Sequence, residues 1–267
     1  MQIVCIGAII RTMSTDNRTK INILVNDWIR GTVKTAAALR QYGITYELIN
    51  RYKKSRWIEP LGDGAYKLFS DFVEWQGALY AIQRQLKLSV HPGGKTSLEL
   101  QGYAHYLTDK MRQVFLFGYR GEKLPGWFNN YNWQVTIQYT ANQLFPQNTA
   151  AGLTKYKYRD FEITISSPER AILEMLNHFP EYHSFDECYK IFENLTTLRP
   201  QLCQELLAKC QSIKVKRMFL FMADYTGHSW FENINIQSIT LGSGNRSLVN
   251  GGILNRKYQI TVPKEYA

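Results

Sequence analysis

The stretch TYELINRYKKSRWIEPLGDGAYKLF, residues 45–69, decides the fold. Thr45 is an N-cap candidate that opens a helix from Tyr46 to about Ser55. Its residues separate into two stripes. Thr45, Leu48, Ile49 and Tyr52 share one face and point inward, while Glu47, Asn50, Arg51 and Lys54 recur at i, i+3, i+4 and i+7 on the other. Trp57 to Leu61 then reads as a strand, Gly62-Asp63-Gly64 as a tight turn, and Ala65 to Phe69 as the returning strand.

Two shorter helices precede this segment. Ile21, Leu24, Val25 and Trp28 form an amphipathic stripe over Lys20 to Trp28, which Gly31 ends. Thr32 then stands as the N-cap of an alanine-rich helix from Lys34 to Tyr42, stopped by Gly43. Helix, helix, short glycine turn, helix and hairpin is the order of a winged helix-turn-helix, expected over residues 16–72. The outward stripe of its third helix suits a major groove. Arg can bond guanine bidentately, Asn can bond adenine, and Glu can accept from cytosine N4. The cations beside it suit phosphates, which position a protein on DNA without reading sequence. The expected DNA contacts are Tyr46, Glu47, Asn50, Arg51, Lys53, Lys54 and Arg56 on the recognition helix, with Asp63, Gly64 and Lys67 on the wing. A merely solvated helix face is the alternative.

The charge balance agrees with a polyanionic partner. Thirty-two Lys and Arg against 22 Asp and Glu give the 267 residues a net charge of +10. Residues 1–72 hold 11 of those cations and 6 of the acids, so about a quarter of the chain carries half the excess. No apolar run reaches the roughly 18 residues of a membrane-spanning helix. Four cysteines, Cys5, Cys188, Cys203 and Cys210, form neither a CxxC pair nor a disulfide-dense pattern, and reduced thiols in the cytoplasm are expected. The apolar run Ile3 to Ile10 does not read as a signal peptide, having no cation before it and no cleavage site after it; residues 1–15 read instead as a non-native or disordered extension, with Met13 the expected start because Met13 to Lys20 has the composition of an ordinary soluble N-terminus.

Residues 73–267 alternate helical and strand-like segments, giving a larger mixed α/β domain and an α+β class overall. Helices are expected at Glu74–Leu88, Lys95–Tyr106, from Ser167, and at Phe185–Leu195, Arg199–Lys209 and Lys214–Tyr225. Strands are expected at Val114–Phe117, Trp133–Tyr139 and Phe161–Ile165.

Catalytic patterns fail on inspection. Gly94-Lys95-Thr96 looks like the end of a P-loop, but Ser89 stands where the first glycine belongs. Gly242-Ser243-Gly244 begins like a dinucleotide fingerprint but has Ser247 at the third glycine position, and no carboxylate follows between Glu232 and Glu265 to hold Mg²⁺. His91, His105, His178, His183 and His228 lack metal-ligand spacing. No enzyme, metal or cofactor is expected. Lys214, Lys216, Arg217, Arg246, Arg256 and Lys257 form a possible second basic surface, or a solvated rim around a core helix.

Several blocks resemble the AbiEi family of antitoxins and transcriptional regulators of abortive-infection (AbiE-type) type IV toxin–antitoxin systems. They include residues 30–33 (RGTV), 50–58 (NRYKKSRWI), 91–106 (HPGGKTSLELQGYAHY), 166–176 (SSPERAILEML), 215–220 and 241–263. The resemblance covers nearly everything after Met13. It implies a winged-helix domain that binds repeats in its own promoter and represses its operon, and a C-terminal domain, residues 73–267, with antitoxin activity. It also implies functional opposition to a nucleotidyltransferase-like toxin without a stable complex. No discrete antitoxin residues transfer. Two other readings stay open at this point: a nucleic-acid- or nucleotide-processing enzyme with a winged-helix targeting domain, and a winged-helix protein–protein adaptor.

Overall fold

The computed structural model describes residues 20–104, 111–147 and 149–267. The expected extension at 1–15 and His105 lie outside those residues.

The first amphipathic stripe forms α1 (Lys20–Asn26). Lys34 and Thr35 then form a two-residue strand, β1, rather than a first helical turn, and α2 runs from Ala36 to Gln41. The cap is therefore Thr35, whose hydroxyl accepts from the Ala38 N–H at 3.2 Å. Thr32 is not the cap: its hydroxyl donates to the Ile29 carbonyl. The cause is long-range, because Lys34 and Thr35 pair with Tyr66 and Ala65 across the sheet and are withdrawn from the helix. α3 (Tyr46–Lys54) starts where expected, with the Thr45 hydroxyl accepting from the Leu48 N–H. β2 (Ile58–Gly62) and β3 (Ala65–Leu68) complete an antiparallel sheet in the order β1-β3-β2. Leu24, Trp28, Leu39, Ile49, Tyr52 and Ile58 form its core, so one face of α3 is buried and the other left free. This is the winged helix-turn-helix arrangement.

The winged unit shares a core with the helix after it. Val33, Leu61 and Ala65 bury together with Trp75, Leu79 and Ile82 of α4 (Trp75–Arg84). Just past α4, the Gln85 carboxamide accepts from the Thr35 N–H at 2.8 Å and donates to the Val33 carbonyl at 2.7 Å, completing the open edge of β1. Gly77 permits the approach: a Cβ there would lie 1.7 Å from the Gly31 carbonyl oxygen. Asp71 holds the Gly31 N–H at 2.8 Å.

Next come β4 (His91–Pro92), α5 (Gly94–Leu100), β5 (Gln113–Tyr119), α6 (Gly126–Asn129) and β6 (Thr136–Asn142). β5 runs antiparallel to β4 and parallel to β6. α5 ends at Leu100, short of the expected Tyr106. β6 begins at Thr136 because Trp133 turns into the core and donates its indole N–H to the Phe128 carbonyl at 2.8 Å. A strand not foreseen, β7 (Leu153–Tyr158), pairs with β8 (Phe161–Ser166) as a hairpin. Four helices come after it, α7 (Pro168–Asn177), α8 (Phe185–Glu193), α9 (Pro200–Lys209) and α10 (Ile213–Thr226). Leu176, Phe192, Leu206, Met218 and Phe219 build their common core. A short hairpin, β9 (Ile253–Asn255) and β10 (Ile260–Val262), leans on α10. The fold is mixed α+β, as the sequence predicts. Among the described residues no helix is long and apolar enough to cross a membrane.

Candidate nucleic-acid interface

The buried face of α3 is made by Ile49 and Tyr52, and this orientation sends Glu47, Arg51, Lys53 and Lys54 to the solvent, with Asn50 half-buried between the faces. Tyr46, at the start of the helix, is 70% exposed. Among the described residues no carboxylate lies within ion-pair distance of Arg51, Lys53 or Lys54, so their charges are uncompensated. The Thr45 hydroxyl and its own backbone N–H hold the Glu47 carboxyl below its ordinary range, so it remains an acceptor at neutral pH.

Arg56 occupies an unusual backbone position. Its φ is +55°, and the Arg56 and Trp57 N–H groups bond the carbonyls of Lys53 and Tyr52, the two bonds of a Schellman cap. That site favours glycine, and an L-residue in the left-handed region costs about 1 kcal/mol or more. The guanidinium lies 5.7 Å from the centre of the exposed Phe69 ring, which fixes it at the junction of helix and wing. Arg56→Gly is accordingly expected to change thermal stability little, because relief of the strain offsets the missing cation–π interaction and the greater freedom of the unfolded chain. DNA affinity is expected to fall several-fold. A binding isotherm unchanged from the parent would remove Arg56 from the interface.

On the wing, Asp63 and Gly64 form the exposed tip, with nothing within 4 Å of a Cβ built on Gly64. Lys67 is differently placed: its ammonium pairs with Glu59 at 2.8 Å and donates to the Asp71 carbonyl at 2.6 Å. Its charge is spent inside the hairpin.

The six late cations do not make one surface. Arg217 is 1% exposed and donates five hydrogen bonds, to the carbonyls of Leu241, Gly242, Gly244 and Gln259 and to the Gln259 side chain. Lys216 is also buried and reaches the Thr240 carbonyl, and Lys214 donates to the carbonyls of Asn177 and Phe179. These three clamp loops onto α10; the expectation of a basic face there is corrected. Arg246 and Arg256 are exposed, and Lys257 pairs with Asp224 at 2.7 Å.

The same geometry explains the motif look-alikes. In the HPGGKT segment the Gly94 N–H is aimed at the buried Glu174 carboxylate at 3.2 Å, not at an anion site. Lys95 pairs with Glu187 at 2.8 Å, and the Thr96 hydroxyl accepts from the Phe115 N–H at 2.8 Å. The carbonyls of Gly242 and Gly244 serve Arg217. Burial pushes the thiols of Cys188, Cys203 and Cys210 above their ordinary range, and it lowers His178 to about 4. These groups are neutral at pH 7.

Two family models match the chain. One, described as a transcriptional regulator, AbiEi antitoxin N-terminal domain, spans residues 17–109; the other, a transcriptional regulator, AbiEi antitoxin of type IV toxin–antitoxin systems, spans residues 111–263. No curated protein matches the sequence. The crystal structure of the RV2827C protein from Mycobacterium tuberculosis superposes with a TM-score of 0.58 at 12% identity, covering 90% of this chain and 88% of that one. At that identity the likeness carries the fold alone.

Proposed function

The chain belongs to the AbiEi family of antitoxins and transcriptional regulators of type IV toxin–antitoxin systems, and from that premise we propose that it binds double-stranded DNA in its own promoter and represses its operon. The observation that carries this reading is the outer face of α3: Arg51 and Lys54 are exposed, uncompensated and on one stripe with Glu47 and Asn50, Lys53 is exposed and uncompensated at the flank of the helix, and Ile49 and Tyr52 on the opposite side are core. Residues 16–72 act as the DNA-binding unit and residues 73–267 as the antitoxin unit. In the groove, Arg51 and Asn50 read base edges; Tyr46, Lys53, Lys54 and Arg56 hold phosphates, and the tip at Asp63 and Gly64 lies along the backbone. The antitoxin opposes a nucleotidyltransferase-like toxin without a stable complex.

The test is affinity for the upstream DNA measured against salt. The logarithm of the binding constant is expected to fall with log salt at about 0.9 per phosphate neutralised, and unrelated DNA is expected to bind far more weakly. Arg51→Ala is expected to relax sequence preference, whereas Lys53→Ala or Lys54→Ala weakens all sequences alike. Salt-insensitive binding, or none, would overturn the reading.

A further inference from the structure

β2, the outer strand of the winged unit's sheet, meets an element that belongs to residues 73–267. Its pairing with β3 shifts register between Pro60 and Gly62, a bulge that bends the strand just before the tip at Asp63 and Gly64. At that bend α6 packs on β2. Gly62 comes so close that a Cβ built on it would stand 2.8 Å from the Trp127 Cβ and 3.0 Å from its Cα. Leu61, beside it, is buried in one core with Trp127 and Phe128.

α6 is itself fixed in place. The Trp127 and Phe128 rings meet edge to face with centroids 5.9 Å apart, Phe128 lies 5.2 Å from Trp133, and the Trp133 indole N–H returns to the Phe128 carbonyl. The winged unit has less to hold its own hairpin. β1 pairs with β3 and not with β2. A two-stranded hairpin is marginal by itself in water, so the direction of its tip depends on what packs behind it. Burying an indole needs no backbone contact of the kind seen at Gly62. That contact exists only because Gly62 has no Cβ, and it fixes the separation between the bend and α6.

We propose that Trp127 is a positioning residue for DNA binding: it backs the bend at Gly62 and so aims the wing tip at the duplex that α3 enters. This inference rests on the duplex-binding reading. It makes residues 73–267 a part of DNA recognition through the wing they hold, without requiring them to touch the DNA.

Gly62→Ala and Trp127→Ala test it in the full chain. The methyl of Gly62→Ala must retreat by about 1 Å to reach ordinary carbon–carbon contact, and the wing moves with it. Trp127→Ala loosens the bend from the other side. Each is expected to weaken binding of the upstream DNA about tenfold, as the loss of one or two hydrogen bonds to phosphate would. Hydroxyl-radical footprinting is expected to show protection lost on the wing side of the site, with the groove entered by α3 still covered. Gly227→Ala is the control: it strains the left-handed end of α10, at φ +66° with open space around the new Cβ. It is expected to lower the unfolding temperature and leave DNA affinity unchanged. Amide exchange of the free protein supplies an arm that needs no DNA. Both wing variants are expected to speed exchange at residues 62–65 at least about tenfold and to leave α3 as in the parent. Parental affinity and footprint in whichever of the two variants fold, an equal loss in Gly227→Ala, or unchanged exchange at residues 62–65 would overturn the proposal. Absence of specific binding by the parent itself would overturn the duplex-binding reading, and the role of Trp127 with it.

Discussion

Replacing Arg51, Lys53 and Lys54 together by alanine is expected to lower affinity for the promoter DNA at least about 100-fold at physiological salt, and to flatten its salt dependence by about 0.9 for each phosphate no longer neutralised. The size of the effect comes from the geometry of α3. All three side chains are exposed and have no carboxylate partner among the described residues, so their fields act outward without competition. An arginine that bonds a base edge contributes about 1–3 kcal/mol of discrimination, and each cation held against a phosphate adds to affinity without regard to sequence. Folding is expected to survive the triple change. Ile49 and Tyr52 keep the inner face packed, Thr45 keeps the cap, and alanine is a better helix former than the residues it replaces. The interaction of Lys53 and Lys54 with the helix C-terminus is worth only a few tenths of a kcal/mol each, and its removal is partly balanced by relief of the like-charge repulsion between Arg51 and Lys54 at i, i+3. The expected result is therefore a folded protein, by circular dichroism and unfolding temperature, that no longer binds specifically in a fluorescence-anisotropy titration. Retention of parental affinity would show that α3 does not enter the groove.

What could be read from residues alone tracks how local the deciding interactions are. Thr45 and Gly64 act on their own neighbours, and the α3 start and the wing tip fall where the sequence places them. Thr32 and Thr35 are equally good caps in isolation. The choice between them is made by strand pairing with Ala65 and Tyr66, some thirty residues on, which no local rule contains. LTKYKY alternates only weakly, and it is the pairing with β8 that turns this pattern into the strand β7. The parallel register of β5 with β6 had no signal at all.

Charge misled in one place for a related reason. Lys216 and Arg217 resemble a basic rim when counted, yet they fall within the continuous stretch Val215–Ala223 that α10 buries, just ahead of its apolar run. A cation in such a buried stretch is carried into the core and must find acceptors there; Arg217 finds the Gly242 and Gly244 carbonyls of the loop that resembles a dinucleotide motif, and the Gln259 carbonyl beyond it.

Glu174 is the same phenomenon with the opposite sign, and its replacement carries the second large effect. In the sequence it is one polar residue in AILEML; in the fold its side chain is 2% exposed, accepts from three donors and lies against the His91 ring as well. Arg170 Nε and His91 Nε2 approach one oxygen at 2.9 and 3.3 Å, and the Ser166 hydroxyl and Gly94 N–H approach the other at 2.7 and 3.2 Å. Burial by itself would raise its pKa, but the His91 and Arg170 partners outweigh that and hold it down at about 2. Glu174→Gln keeps the shape but turns an NH2 toward a donor that a carboxylate oxygen had served, and leaves the buried Arg170 without its counter-charge. A loss of about 3–5 kcal/mol is expected at pH 7, measured by urea unfolding. The pH dependence gives a second readout. Because the folded value lies below the ordinary one of 4.5, the carboxylate's contribution is complete above about pH 4.5 and is lost as pH falls toward about 2. Glu169 and Glu187 are lowered as well, so the diagnostic quantity is the difference between parent and variant. That difference is expected to be widest at neutral pH and to narrow steadily below about pH 4.5; a gap that stays constant down to about pH 2.5 would mean that Glu174 supports the fold by shape rather than by charge.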